Sequence, residues 1–308
     1  NNKSASGTGT TDIFTLRRVR PTFSGTVLTN FDYVLSPSFD AGTASLQDAY
    51  LEYRYLPEIK IRAGQFKAPL GLERLQSSAA TNFVETAYPT GLTSNYDTGL
   101  QVSGDVWGGV VNYAVAFTNG TSDGATAFTD INNDKEITAR VIASPLKLSN
   151  NELLRGFSGG VGVSAGHAEG AALPTLRSPG QAAIFSYNTS AFADGPHTRL
   201  SPQLSWYYNQ FGLLYEYISA NQEVLRGAVS DKFENKAWEI TGSYVLTGED
   251  ATYKGVTPLK NFDPAAGTWG AWELVGRYHE LDIDDSIFEN YAVNFFADAR
   301  SAVTEAKS

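Results

Sequence analysis

From Arg18 the chain alternates with a period of two. Arg18, Arg20, Thr22, Ser24 and Thr26 are polar, while Val19, Pro21, Phe23, Gly25 and Val27 make the other face. Asp48, Tyr50, Glu52 and Arg54 alternate with Ala49, Leu51, Tyr53 and Tyr55, and Lys60, Arg62 and Gly64 with Ile59, Ile61 and Ala63. Successive residues of a strand point to opposite sides, so each segment reads as a strand with one charged and one apolar face. This parity predicts about twelve strands, near residues 13–26, 30–39, 45–56, 58–66, 95–107, 110–119, 134–145, 156–168, 197–208, 211–222, 235–247 and 269–283. Residues 181–187 read as a hairpin arm within a loop. Few segments carry a helical period and no linker interrupts the pattern, which gives an all-β chain with a single domain over residues 1–308.

The connections alternate too. Tight links fall at Leu28–Asn30, Leu56–Glu58, Trp107–Gly109 and Asn209–Gln210, and long ones at Lys67–Asn95, Gly120–Asn133, Glu169–Pro196 and Gln222–Glu234. Short turns on one side and long loops on the other are the layout of a transmembrane antiparallel β-barrel. A short loop at Asp40–Ser45 and a long turn at Gly248–Trp269 depart from it. In such a barrel the apolar face meets lipid and the charged face lines the lumen. In a water-soluble sandwich the assignment reverses. Aromatic residues near strand ends (Tyr53, Tyr55, Trp107, Trp206, Tyr207, Tyr208, Trp238, Tyr244, Trp272, Tyr278) favour the membrane, where Tyr and Trp form interfacial girdles. The alternative from another class is a secreted or surface β-domain that binds carbohydrate through exposed Tyr and Trp.

Composition narrows the choice. A net charge of −10 over 308 residues argues against a nucleic-acid partner. Aromatic residues at 12% exclude a disordered chain, and no run of about 18 apolar residues provides a helical span. The absence of cysteine removes thiol chemistry and disulfides.

No motif argues for catalysis. Gly156-Phe157-Ser158-Gly159-Gly160 fits a nucleophile-elbow pattern, but the residues after it alternate as a strand where that motif needs a helix. His167, His197 and His279 lack zinc-type spacing, and His279 beside Arg277 reads as a lumen residue. The run Asp130–Glu136 spaces oxygen ligands as calcium loops do, without the glycine and distal glutamate such loops need; it and Asp282, Asp284 and Asp285 read as solvated acidic segments. No cofactor or metal is expected. The basic set carries more weight. Arg18, Arg20, Arg54, Lys60, Arg62 and Arg277 all fall on polar strand faces, where guanidinium forks suit oxyanions and a ladder of cations selects anions. Asp32, Asp48, Glu52, Glu216, Glu239 and Glu273 share those faces, and full pairing would leave a broad, weakly selective channel.

Three blocks also carry a resemblance. They are Asp48-Ala49-Tyr50-Leu51-Glu52-Tyr53-Arg54 with Ile61-Arg62-Ala63-Gly64-Gln65-Phe66-Lys67-Ala68-Pro69-Leu70-Gly71-Leu72-Glu73; Arg199-Leu200-Ser201-Pro202 with Phe211-Gly212-Leu213-Leu214-Tyr215-Glu216-Tyr217; and Tyr244-Val245-Leu246-Thr247-Gly248-Glu249-Asp250 with Trp269-Gly270-Ala271-Trp272-Glu273-Leu274-Val275-Gly276-Arg277-Tyr278. From Leu16 to Ala302 the chain resembles the phosphate-selective porin O and P family. The resemblance implies a sixteen-stranded barrel in the bacterial outer membrane, contact with its lipid, homotrimer assembly, and passage of inorganic phosphate, polyphosphate or other small anions. It also implies an inward-folded constriction loop, here residues 67–95, which adds Lys67 and Arg74 to the pore set and carries Glu73 and Glu85. The family has one strand before Leu16-Arg17-Arg18 and three after Phe296-Ala297-Asp298, so the twelve strands counted here read as part of sixteen. A closed twelve-stranded barrel would instead pair the strand near Thr15–Thr26 with that near Trp269–Asp282.

Overall fold

The computed structural model describes residues 16–40, 43–126, 133–289, 296–298 and 303–308. In chain order its strands are β1 (Phe23–Val27), β2 (Phe31–Ser38), β3 (Ser45–Leu56), β4 (Ile59–Phe66), β5 (Asp97–Val106), β6 (Val111–Thr118), β7 (Glu136–Ala143), β8 (Phe157–Ala171), β9 (Thr175–Arg177), β10 (Ala183–Ser186), β11 (Ala191–Tyr208), β12 (Phe211–Arg226), β13 (Val229–Val245), β14 (Phe262–Asp263), β15 (Thr268–Trp269), β16 (Glu273–Asp282) and β17 (Glu305–Lys307). Thirteen of them form one antiparallel sheet in the order β1 to β8, β11 to β13, β16, β17. The pairs β9–β10 and β14–β15 are separate hairpins. Among the described residues β16 pairs with β13 and β17, and β1 pairs with β2.

The faces of the sheet invert those of a water-soluble protein. Leu51, Tyr53, Ile59, Ile61, Leu100, Val115, Phe117, Val141, Val163, Leu200, Ile240 and Leu274 are exposed on one side. The other side buries Gln101, Thr138, Ser164, Arg199, Ser201, Gln203, Glu216 and Glu239. Hiding charge while displaying isoleucine is costly in water and favourable only where the outer face meets lipid. No second sheet covers that face among the described residues, as a carbohydrate-binding sandwich would require.

The height of the apolar band can be read from β11. Its outward residues are apolar from Tyr208 through Trp206, Leu204 and Pro202 to Leu200, and mixed above, where Thr198 and Asp194 alternate with Pro196 and Phe192. That run spans about 27 Å along the strand and about 20 Å of membrane at the usual tilt, near the apolar height of an outer-membrane barrel. The outer face of β13 also changes, from Tyr244, Ile240 and Trp238 to Lys236, Glu234 and Lys232. Tyr207, expected in the girdle, instead lies on the lumen face beside inward Gly212.

Strands β11, β12 and β13 continue beyond this band. The loop expected at Gln222–Glu234 is therefore strand, closed by Gly227 and Ala228, with Gly227 at φ 63°. Above the membrane the outward residues are no longer uniformly apolar, so the apolar alternation stops although the hydrogen-bond ladder does not. The first strand is shorter than expected, since Leu16–Thr22 are not strand, and residues 13–15 of that prediction lie outside the described residues. The anticipated hairpin arm is present as β10 paired with β9. Trp269 belongs to the β14–β15 hairpin and not to the following strand.

The segment between β4 and β5 folds against the buried face and touches strands far apart in sheet order. It meets Glu216 of β12, Arg277 and His279 of β16, and Arg17 and Arg18 ahead of β1. A sheet that reaches one loop from so many of its strands must curve around it as a barrel wall. Toward the long-loop end, Leu70, Leu92, Leu176, Phe185, Ile218, Phe233, Leu281, Ile287 and Phe296 form an apolar cluster beneath the β9–β10 hairpin. Each such side chain contributes about 1.5–3 kcal/mol on burial, which fixes the top of the loop.

Candidate pore constriction

The loop enters the lumen at Gly71, whose φ of 66° favours glycine. The turn aims the Leu72 and Glu73 N–H groups at the Glu216 carboxylate, which accepts them at 2.9 and 3.1 Å and a third bond from Ser201 Oγ. Successive N–H groups converging on one carboxylate make a backbone anion nest, filled here by the wall itself. Gly162 leaves room for the same turn, because a Cβ there would lie 3.1 Å from the Leu70 side chain. Glu73 accepts the Ala87 N–H at 2.6 Å and pairs with Arg277 at 3.2 Å. Burial pushes the Glu73 carboxyl above its ordinary value despite those two partners. Arg277 also donates to the Glu85 carbonyl and lies over the Phe83 ring, while the Tyr88 N–H donates to His279 Nδ1.

A second hold comes from the other side of the membrane. Within the long turn between β13 and β16, Tyr253 donates through its hydroxyl to the Leu72 carbonyl at 2.5 Å and accepts from Gln76 Nε2 through its own carbonyl at 3.0 Å. The unusually long turn in the sequence thus folds up into the lumen and supports the constriction loop from below.

Two cavities flank the loop. One, of about 660 Å³, is lined by Arg17, Arg18, Arg20, Lys67, Arg74 and Arg177, against the carboxylates of Asp40, Glu73, Glu85 and Asp123. The other, of about 460 Å³, lies deeper along β2 to β4 and is lined by Arg20, Arg62 and Lys67 against Asp48. Arg20, Gln47, Lys67, Gln76, Ser78 and Tyr96 line both. These six residues form the boundary that the two cavities share. Lys67 Nζ donates to the Gln76 carbonyl at 2.7 Å and lies over the Tyr96 ring. Burial, with Arg74 nearby, brings its ammonium pKa down to about 8.

The basic residues singled out in the sequence divide by their partners. Arg18 pairs with Glu85, Arg20 with Asp40, Arg54 with Asp32, Lys60 with Asp105, Arg62 with Glu52 and Arg277 with Glu73. Lys67 and Arg74 are held by neutral acceptors, Arg74 by Thr93 Oγ1 and Asn95 Oδ1 at 3.0 Å each and by the Thr90 carbonyl. Arg62 also lies 4.0 Å over the Tyr50 ring. The structure gathers Arg18, Arg20, Arg62, Lys67 and Arg74 around the two cavities, leaves Arg54 and Lys60 toward the short-turn end, and packs Arg277 behind the loop.

Four arginines were missed. Arg17 sits on the apolar parity, but its segment is not strand, and it reaches Glu85 at 2.6 Å. Arg140 of β7 and Arg199 of β11 point inward by the same alternation that selected the others and could have been found from it. Arg140 donates to Gln203, and the fully buried Arg199 pairs with Asp123 and Glu136, tying the segment between β6 and β7 to the wall. Arg177 lies on the β9–β10 hairpin at the outer cavity.

The remaining motifs fall into structural places. Gly156–Gly160 opens β8 with no helix after it. His279 faces the lumen, His197 is buried near Asp123, and His167 lies at the outer rim near Asp134. Of the calcium-like run, Asp130, Ile131 and Asn132 lie outside the described residues, and Glu136 pairs with Arg199. Asp284 caps a short helical turn through the Ser286 N–H. Among the described residues no three metal-ligating side chains are grouped to hold an ion.

A lipid-facing β-wall around a charged lumen, narrowed by an inward loop between two water-accessible cavities, defines an outer-membrane diffusion channel. The chain belongs to the phosphate-selective porin O and P family, whose model matches residues 2–303. That family consists of channels of the bacterial outer membrane and not of enzymes. No curated protein matches the chain.

Proposed function

We propose that this porin passes small oxyanions, inorganic phosphate among them, through the gap between Arg20 and Lys67. One observation carries the reading: both cations line both cavities, so an ion crossing from one space to the other passes them. Cations outnumber carboxylates on each side, six to four outside and three to one inside. Guanidinium and ammonium donors replace part of an anion's hydration there, and bonds to neutral neighbours leave Lys67 and Arg74 more of their positive potential than a carboxylate partner would. The net charge of −10 is compatible with this, because charges farther away than about 8 Å are screened by physiological salt. Homotrimer assembly belongs to the same reading, and crosslinking that gives only monomer would count against it.

The test is the reversal potential across a planar bilayer under a potassium chloride gradient, followed by addition of phosphate. Anion preference with phosphate block is expected. Cation preference would sink the proposal. A second reading, a general and weakly selective porin, draws on the carboxylate partners of Arg20, Arg54, Lys60 and Arg62; anion preference without phosphate block would favour it.

A further inference from the structure

A carboxylate of the protein itself fills an oxyanion-shaped position in the outer cavity. Arg17 presents Nε to Glu85 Oε1 at 2.6 Å and its terminal nitrogen to Oε2 at 3.1 Å, the two-point fork that guanidinium makes with carboxylate or phosphate. Arg18 and Gln181 each donate to Oε2, at 3.1 and 3.0 Å. Donors from ahead of β1 and from the β9–β10 hairpin thus converge on one carboxylate, 17% exposed, at the cavity wall. Glu216 is a useful contrast, since it takes backbone N–H bonds and is sealed. The loop around Glu85 has holds besides that side chain. The Glu85 carbonyl accepts from Arg277, the Val84 carbonyl from Arg18, and the Ala87 N–H goes to Glu73.

We propose that Glu85 is a tethered competitor: its carboxylate occupies a subsite for a small oxyanion formed by Arg17, Arg18 and Gln181, and an entering oxyanion takes those donors in its place. This rests on the reading that anions pass. Glu85 weakens the outer site so that a captured ion is not retained, since conduction needs binding strong enough to admit an ion and weak enough to release it. Removing its charge changes the outer cavity from six cations against four carboxylates to six against three.

The test compares the full chain with Glu85→Gln in planar bilayers, with inorganic phosphate titrated against chloride current. The phosphate concentration giving half-block should fall about tenfold in the variant, and adding Arg17→Gln should return most of that gain. Equal half-block in wild type and Glu85→Gln, with anion preference intact, overturns this proposal and leaves the anion reading standing. Cation preference in both overturns the anion reading itself. If Glu85→Gln does not insert, Glu85→Asp withdraws the carboxylate from the fork and should give a smaller shift in the same direction; no shift counts against the proposal.

Discussion

The two sides of the lumen use the same residue types for opposite purposes. Along β2 to β5 the ion pairs are partly open to water: side-chain exposure is 23% for Arg62, 24% for Lys60 and 47% for Arg54. The inward-facing pairs of β11 and β16 are closed, with Arg277 and Glu73 at 6% each and Arg199 at 0%. An exposed pair contributes little to stability but keeps its field in the water where ions travel. A buried pair has surrendered its hydration and holds chain segments together, because losing one partner strands a charge. Burial therefore distinguishes pairs that tie chain segments together from pairs that stay in contact with lumen water.

The comparison can be broken most severely at the closed side. Glu216→Ala should free the Leu72 and Glu73 N–H groups, at about 1–3 kcal/mol for each unsatisfied donor. The turn at Gly71 should loosen while Arg277, His279 and Tyr253 still hold the rest of the loop, so single-channel current should become noisier; an unchanged trace would show that Glu216 is not needed to seat the turn. Next, Glu73→Ala and Arg277→Ala should each lower stability by about 3–5 kcal/mol, with the double substitution costing less than the sum. Urea denaturation of the bilayer-inserted protein measures this, and additive losses would contradict a direct pair.

The open side should give smaller structural effects and clearer electrical ones. Lys67→Gln should reduce the anion-to-cation permeability ratio severalfold at little cost in stability. Because burial lowers the Lys67 pKa to about 8, the wild-type side chain is mostly cationic near pH 7 and mostly neutral near pH 9. Anion preference should therefore fall as pH rises through about 8, and Lys67→Gln should flatten that step. Arg20→Ala and Arg62→Ala should reduce anion preference further down this scale. Arg54→Ala, at the most exposed of the three pairs along β2 to β5, should leave the melting temperature and permeability ratio nearly unchanged.

Strand pairing was legible because lipid and lumen impose opposite polarity on alternate residues, as Leu51 against Glu52 or Ile61 against Arg62 illustrates. Where those constraints end, so does the signal: β12 and β13 continue past the membrane with Glu223 and Glu234 facing outward, and that stretch reads as loop. The lumen position of Arg277 was readable from its parity, but its burial was not, because Glu73 and the Glu85 carbonyl arrive from about two hundred residues away in sequence. The same distance hid the support by Tyr253, whose turn looked merely long. Arg17 was hidden for a different reason: Leu16–Thr22 are not strand, so Arg18 and Arg20 do not lie on the strand face that alternation assigned them, and the same parity wrongly set Arg17 aside.

The bonds from Tyr253 to Leu72 and Gln76 also bear on the electrical noise of the channel. A loop suspended from one rim could swing, and each excursion would modulate the current as flicker. Here Glu216, Arg277 and His279 fasten it to the wall while Tyr253 braces its underside. The aperture is a braced span with little free travel, and its open state should give a quiet, steady current.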